Sequence, residues 1–171
     1  GGPDILTSLA SGAIDAAEWI CPVADLGLGM HQAAKFYYGP GWHEPSTLLD
    51  LSIDLKEWEG LDADTQALMM EMAKAFNVDV FSRFQALNGP ALGKLLNEHG
   101  VQLKTFPDEL LIALGNAAGE VMEERGSIDS QTKAICNHIL SFRKNIMDWS
   151  TKGESEFARI RNLPFKFPDS V

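Results

Sequence analysis

The chain has 171 residues, 45% hydrophobic and 22% charged, with 24 acidic against 14 basic side chains and a formal net charge of −10. That length supports one well-cored domain, and the composition is that of an ordinary water-exposed globule. The acidic balance speaks against nucleic acid as a partner, because lysine and arginine must neutralise phosphates. It speaks equally against anionic membrane surfaces, and no stretch reaches the ~20 apolar residues of a membrane span. Gly1-Gly2-Pro3-Asp4 has neither the basic nor the apolar stretch of a leader peptide.

Ile5 to Ser11 is predicted helical and stopped by Gly12. Ala13 to Ile20 reads as a short strand, which places Glu18 and Trp19 at its end, just before Cys21-Pro22. Leu26 to Tyr37 has helical spacing through Leu26, Met30 and Tyr37, weakened by Gly27 and Gly29. Gly39-Pro40-Gly41 ends it. Leu48 to Ile53 reads as a buried strand and Lys56 to Gly60 as a helical turn. Asp62 caps a long helix to about Leu87, whose stripe of Leu68, Met72, Phe76, Val80, Phe84 and Leu87 reads as core. Asn88-Gly89-Pro90 is expected to kink or break that helix, which resumes over Ala91 to Glu98.

Val101 to Phe106 alternates as a strand, and Pro107 opens a helix with Leu110, Leu111, Leu114, Ala118, Val121 and Met122 on one stripe. A turn at Ser127 to Asp129 precedes the last helix, from about Ser130. Ile135, Ile139, Phe142, Ile146 and Trp149 recur there at steps of four, three, four and three. That heptad seam suits packing along one partner helix, within the fold or from a second subunit. The whole reads as α/β with a helical excess and three short strands, few for this length. Cys21 and Cys136 lack metal-type spacing and are expected to be buried free thiols.

Two segments carry candidate chemistry. Ile14-Asp15-Ala16-Ala17-Glu18-Trp19 sets a carboxylate beside a tryptophan at a strand end, where open α/β sheets collect ligands. The Glu18 carboxylate and a neighbouring main-chain carbonyl, that of Trp19, are the oxygen donors a hard cation such as Na+ or Ca2+ takes. A surface glutamate beside a core tryptophan is the plain alternative. The second segment is Phe36-Tyr37-Tyr38-Gly39-Pro40-Gly41-Trp42-His43-Glu44-Pro45. Its glycines and prolines let the backbone approach a ligand closely. Tyr38, Trp42 and His43 are candidates to wall a small pocket around Glu44; an aromatic corner packed under a loop is equally open. His43-Glu44 has Thr47 where a zinc-protease motif needs a second histidine. Cys21 with His31 or His43 has no orienting third group, and the Gly-x-Gly pairs lack a third glycine.

Gly12-Ala13-Ile14-Asp15-Ala16-Ala17-Glu18-Trp19, then Tyr37-Tyr38 with Pro40-Gly41-Trp42-His43-Glu44-Pro45, then Phe106-Pro107-Asp108-Glu109, in that order, resemble the solute-binding proteins of TRAP-type transporters. The likeness is to the branch that captures 2-oxo and 2-hydroxy monocarboxylates with a metal ion, and it runs to about Asn162. It implies a periplasmic-binding-protein-like two-lobe α/β fold, of which this chain is a helix-rich C-terminal half with few strands. Residues 1–128 would form lobe and hinge segments, 129–163 a C-terminal helix region able to dimerise, and 164–171 a tail. The resemblance implies a bridging cation (Na+ or Ca2+) held by Glu18, the Trp19 carbonyl and Glu44. The substrate site would comprise Trp19, Tyr38, Trp42, His43 and Glu44.

The arginine that pairs with the substrate carboxylate, and a further cation ligand, would lie in the first half. Cys21-Pro22-Val23 stands where many relatives have Gly-Pro-Tyr, so a tyrosine near their ligand is absent. The implied partners are a small organic acid, the TRAP membrane subunits and a second copy of the chain, in the periplasm. No enzyme activity is implied. Two other classes remain at this level: a metal-dependent enzyme of organic acids using Glu18 or Glu44 as base, and a helical interaction module using the heptad seam.

Overall fold

A computed structural model of the chain describes residues 2–44 and 50–167. Asp4 precedes α1 (Ile5–Ser11), which ends at Gly12 in the left-handed region (φ 73°), a conformation that favours glycine. Residues 13–20 are irregular rather than a strand, for the described residues supply no ladder partner to their alternating pattern. Pro22 then opens α2 (Pro22–Leu28), earlier than the periodicity suggests, because its missing N–H costs nothing at a first helical position. Gly29 closes α2 at φ 79°, and a Cβ there would lie 2.9 Å from Nε2 of Gln32. That stop divides the expected Leu26–Tyr37 helix into α2, a single 3-10 turn at Met30–Gln32 and a strand, β1 (Phe36–Tyr38). The Phe-Tyr-Tyr run has strong β propensity, and it prevails once the helix has ended.

Of the expected Leu48–Ile53 strand, Leu48 and Leu49 lie outside the described residues, and residues 50–53 are irregular. Asp54 caps α3 (Leu55–Glu59), accepting the backbone N–H groups of Lys56 and Glu57. Asp62 caps α4 (Ala63–Asn97), accepting Thr65 N–H at 2.9 Å. α4 runs through Asn88-Gly89-Pro90 without a break. β2 (Gln102–Lys104) then pairs in parallel with β1, in the register Phe36↔Gln102, Tyr37↔Leu103 and Tyr38↔Lys104. A parallel pair requires a crossover connection, and α4 provides it.

By contacts the chain divides into Gly1–Pro107 and Asp108–Val171. In the first unit α2 packs on α4, and the Val23 N–H donates to Asn88 Oδ1 at 3.2 Å. In the second, α5 (Asp108–Gly126) packs on α6 (Ser130–Ser150), and Asp129 caps α6 by accepting Thr132 N–H at 2.8 Å. A π-helical turn at Thr151–Ser155 leads into α7 (Glu156–Arg161).

Among the described residues the buried apolar side chains are Ala91, Leu95, Val101 and Cys136. The α4 stripe expected to be core is not covered: Leu68, Met72 and Phe76 are exposed (Phe76 at 63%), and Val80 and Phe84 are half-buried. The seam Ile135, Ile139, Phe142, Ile146 and Trp149 is likewise exposed. The sequence pattern identifies faces that would gain by burial, but not what lies over them. Cys21 and Cys136 are free thiols, the first half-buried and the second buried.

Candidate functional site

The site is built from two loops of the first unit. One is the irregular segment 13–21 between α1 and α2. Within it Glu18 is exposed and Trp19 half-buried. The Trp19 ring lies against Gly2, where an added Cβ would come within 2.9 Å of its outer edge. The other is the Gly39–Glu44 segment, which leaves the C-terminal end of β1, the edge at which parallel sheets present ligand-binding groups. Gly39 N–H donates to Lys104 O at 3.0 Å, so the ladder continues one residue past the strand. Tyr38 stacks on Phe106, with ring centroids 4.8 Å apart and planes 20° from parallel. Trp42 and His43 follow, their ring centroids 5.5 Å apart.

These two loops bring Glu18, His43 and Glu44 together, with one ligating atom of each within 4.8 Å of the others. All three are exposed. A cation with metal–oxygen bonds of about 2.4 Å reaches opposed donors about 4.8 Å apart, so the separations suit a single ion. Two carboxylates favour a hard cation, and the imidazole adds a borderline donor. Among the described residues this is the one such group of three. The sequence pairs Glu18 with Glu44; the geometry adds His43 to their cluster. Trp42 flanks it, Tyr38 is held by Phe106, and the Trp19 ring is turned to Gly2. Pro45 lies outside the described residues. His31, the other candidate base for Cys21, instead packs against His99, with ring centroids 3.9 Å apart and planes tilted by 31°. Burial, and then the charge of His99, lowers the His31 pKa.

Two residues behind the loops escaped sequence reading. Asp25 in α2 is only 6% exposed, the one buried charged residue among those described. Its carboxylate accepts the Tyr37 hydroxyl, and Oδ1 faces the Ile20 N–H at 3.5 Å. Burial pushes the Asp25 carboxyl above its usual range, although both hydrogen bonds pull the other way. Burial also pushes the Tyr37 phenol up, reinforced by the bond to Asp25 and its charge. In sequence Asp25 looks like any acid in a helix's first turn, where the dipole welcomes one. Only its burial distinguishes it.

Over residues 3–127 the chain matches the family of bacterial extracellular solute-binding proteins, family 7. The chain belongs to that family, which is one of solute-binding proteins rather than enzymes. A relative from Nostoc sp., the monocarboxylate 2-oxoacid-binding periplasmic protein, is 35% identical over 156 residues, which are 91% of this chain and 43% of the relative. The fold is that of a TRAP transporter solute-binding protein from Bordetella bronchiseptica RB50, at a TM-score of 0.82 and 30% identity, covering 93% of this chain and 47% of that one. That crystal structure is described as a mixed-occupancy dimer, with copurified calcium and picolinate bound in one active site and the other site apo. This chain thus spans less than half the length of either protein. Among the described residues no helix is long and apolar enough to cross a membrane.

Proposed function

We propose that the chain is the C-terminal half of a periplasmic solute-binding protein that captures a small organic acid, a 2-oxo or 2-hydroxy monocarboxylate, through a bridging cation. The protein would deliver that acid to the membrane subunits of a TRAP transporter. The observation that carries this reading is the convergence of Glu18 and Glu44, with His43, on a volume suited to one ion. Without a cation the two carboxylates would repel an organic acid; with one between them they bind it. Ca2+ or Na+ accepts such oxygen donors, and Ca2+ better offsets three converging carboxylates, counting the ligand's own. The Trp19 main-chain carbonyl is assigned as a further cation ligand. Tyr38, Trp42 and His43 are assigned to the pocket wall, where they shape it and exclude water. The Nostoc relative's 2-oxoacid binding and the Bordetella protein's calcium with picolinate, itself a carboxylate, support this chemistry.

The test is calorimetric titration of the whole protein with pyruvate and lactate, with and without Ca2+ or Na+. Binding should require the cation, and Glu18→Gln or Glu44→Gln should weaken it by at least about tenfold, as loss of a charged ligand predicts. Affinity that ignores the cation would overturn the reading.

A further inference from the structure

The geometry points to Asp25 as a positioning residue that clamps the two ligand-bearing loops at a fixed separation. The inference rests on the cation site proposed above and goes beyond it, since Asp25 is not among the residues that would touch ion or ligand. Its two carboxylate oxygens serve different loops. Oδ1 faces the N–H of Ile20, next in chain to Trp19 and two residues past Glu18, at the outer limit of hydrogen-bond length. Oδ2 accepts from the hydroxyl of Tyr37, the residue before Tyr38 on the strand that leads to His43 and Glu44. Asp25 itself cannot drift. Its own N–H is bound to the Cys21 carbonyl at 2.9 Å, and α2 is tied to the long helix through Val23 N–H and Asn88 Oδ1 at 3.2 Å.

The chain of contacts therefore runs from α4 through Asn88 and α2 to Asp25, and from there to both loops. A carboxylate buried to this degree is costly unless its oxygens are satisfied, so it holds the Tyr37 hydroxyl firmly and the Ile20 N–H at longer range. Glu18 and Glu44 repel each other in the absence of an ion, and a shared anchor behind them opposes their separation. Tyr37 is further fixed by strand pairing opposite Leu103.

Terbium(III), a calcium stand-in whose emission is sensitised by nearby tryptophan, reads cation occupancy of the full chain directly. Tyr37→Phe removes one hydroxyl and keeps the ring. At a temperature where circular dichroism shows the variant folded, its terbium dissociation constant should rise about tenfold, as for outer residues that orient metal ligands. Asp25→Ala should do at least as much. Asp25→Asn keeps an oxygen for Ile20 and an amide that donates to the Tyr37 oxygen, and so should recover most of the lost affinity, which a purely structural role does not predict. Glu18→Gln separates the two ideas. If it abolishes terbium binding while folded Tyr37→Phe binds as the unaltered chain does, the clamp is refuted and the cation site stands. Terbium binding unaffected by Glu18→Gln would remove the site and the clamp with it. Should Asp25→Ala fail to fold, Tyr37→Phe decides alone.

Discussion

Asp62 and Asp129 each accept a backbone N–H and a hydroxyl from the threonine three residues on, Thr65 and Thr132, and so satisfy donors that a helix start leaves free. Those bonds hold both carboxyls below the usual aspartate range. A carboxyl whose pKa is lower folded than unfolded stabilises the fold at pH above its unfolded value, and that contribution is lost as pH falls through the folded one. Asp129→Ala is therefore expected to lower the melting temperature at neutral pH by a few degrees. The gap to the unaltered chain should close as pH falls below about 4. Asp129→Ser, which still caps, should keep most of the stability. Thermal melts from neutral to acidic pH check both. The Asp62 cap was legible in sequence because a long apolar period follows it. Glu18 and Glu44 were legible through the order of two motifs. Asp25 was not, because burial depends on what α4 lays beside it.

The long helix shows where local rules yield to packing. Asn88-Gly89-Pro90 is a breaker by propensity, yet α4 passes through it. Asn88 is held by the Val23 N–H, and Ala91 and Leu95 just beyond are buried, so tertiary contacts fix the backbone on both sides of the proline. Gly89 is exposed, and a Cβ there meets nothing within 4 Å. Gly89→Ala should therefore stabilise the chain by about 0.5–1 kcal/mol, measurable by urea unfolding. The helices with polar caps and long periods, α4 and α6, were readable in advance. Of the strands, Val101–Phe106 was readable and holds β2, but β1 and the irregular 13–20 segment were not. Residues 13–20 alternate without a neighbour to pair with, whereas Phe36–Tyr38 gains one from a segment far along the chain. Strand identity depends on a partner that local sequence does not contain.

Across the whole molecule, the exposed α4 stripe and the exposed α6 seam are faces of a kind that monomeric proteins rarely leave in water. The relatives described above are about twice as long as this chain. The isolated chain should accordingly bind a hydrophobic dye and self-associate as its concentration rises, by light scattering behind size exclusion. If α6 forms the dimer contact, Ile139→Asp with Ile146→Asp should shift that equilibrium towards monomer without altering cation affinity. A monomer at every concentration would count against it. The heptad spacing was legible in sequence; which surface meets it was not, because period alone does not choose a partner.

The two thiols differ in access: Cys136 is buried, while Cys21 is half-buried and sits between Ile20 and the first residue of α2. A brief maleimide reaction should thus attach a fluorophore at one place in the folded chain, at Cys21. The dye would sit where the Glu18 loop meets α2, so a change in its brightness on adding Ca2+ would report the cation arriving next door.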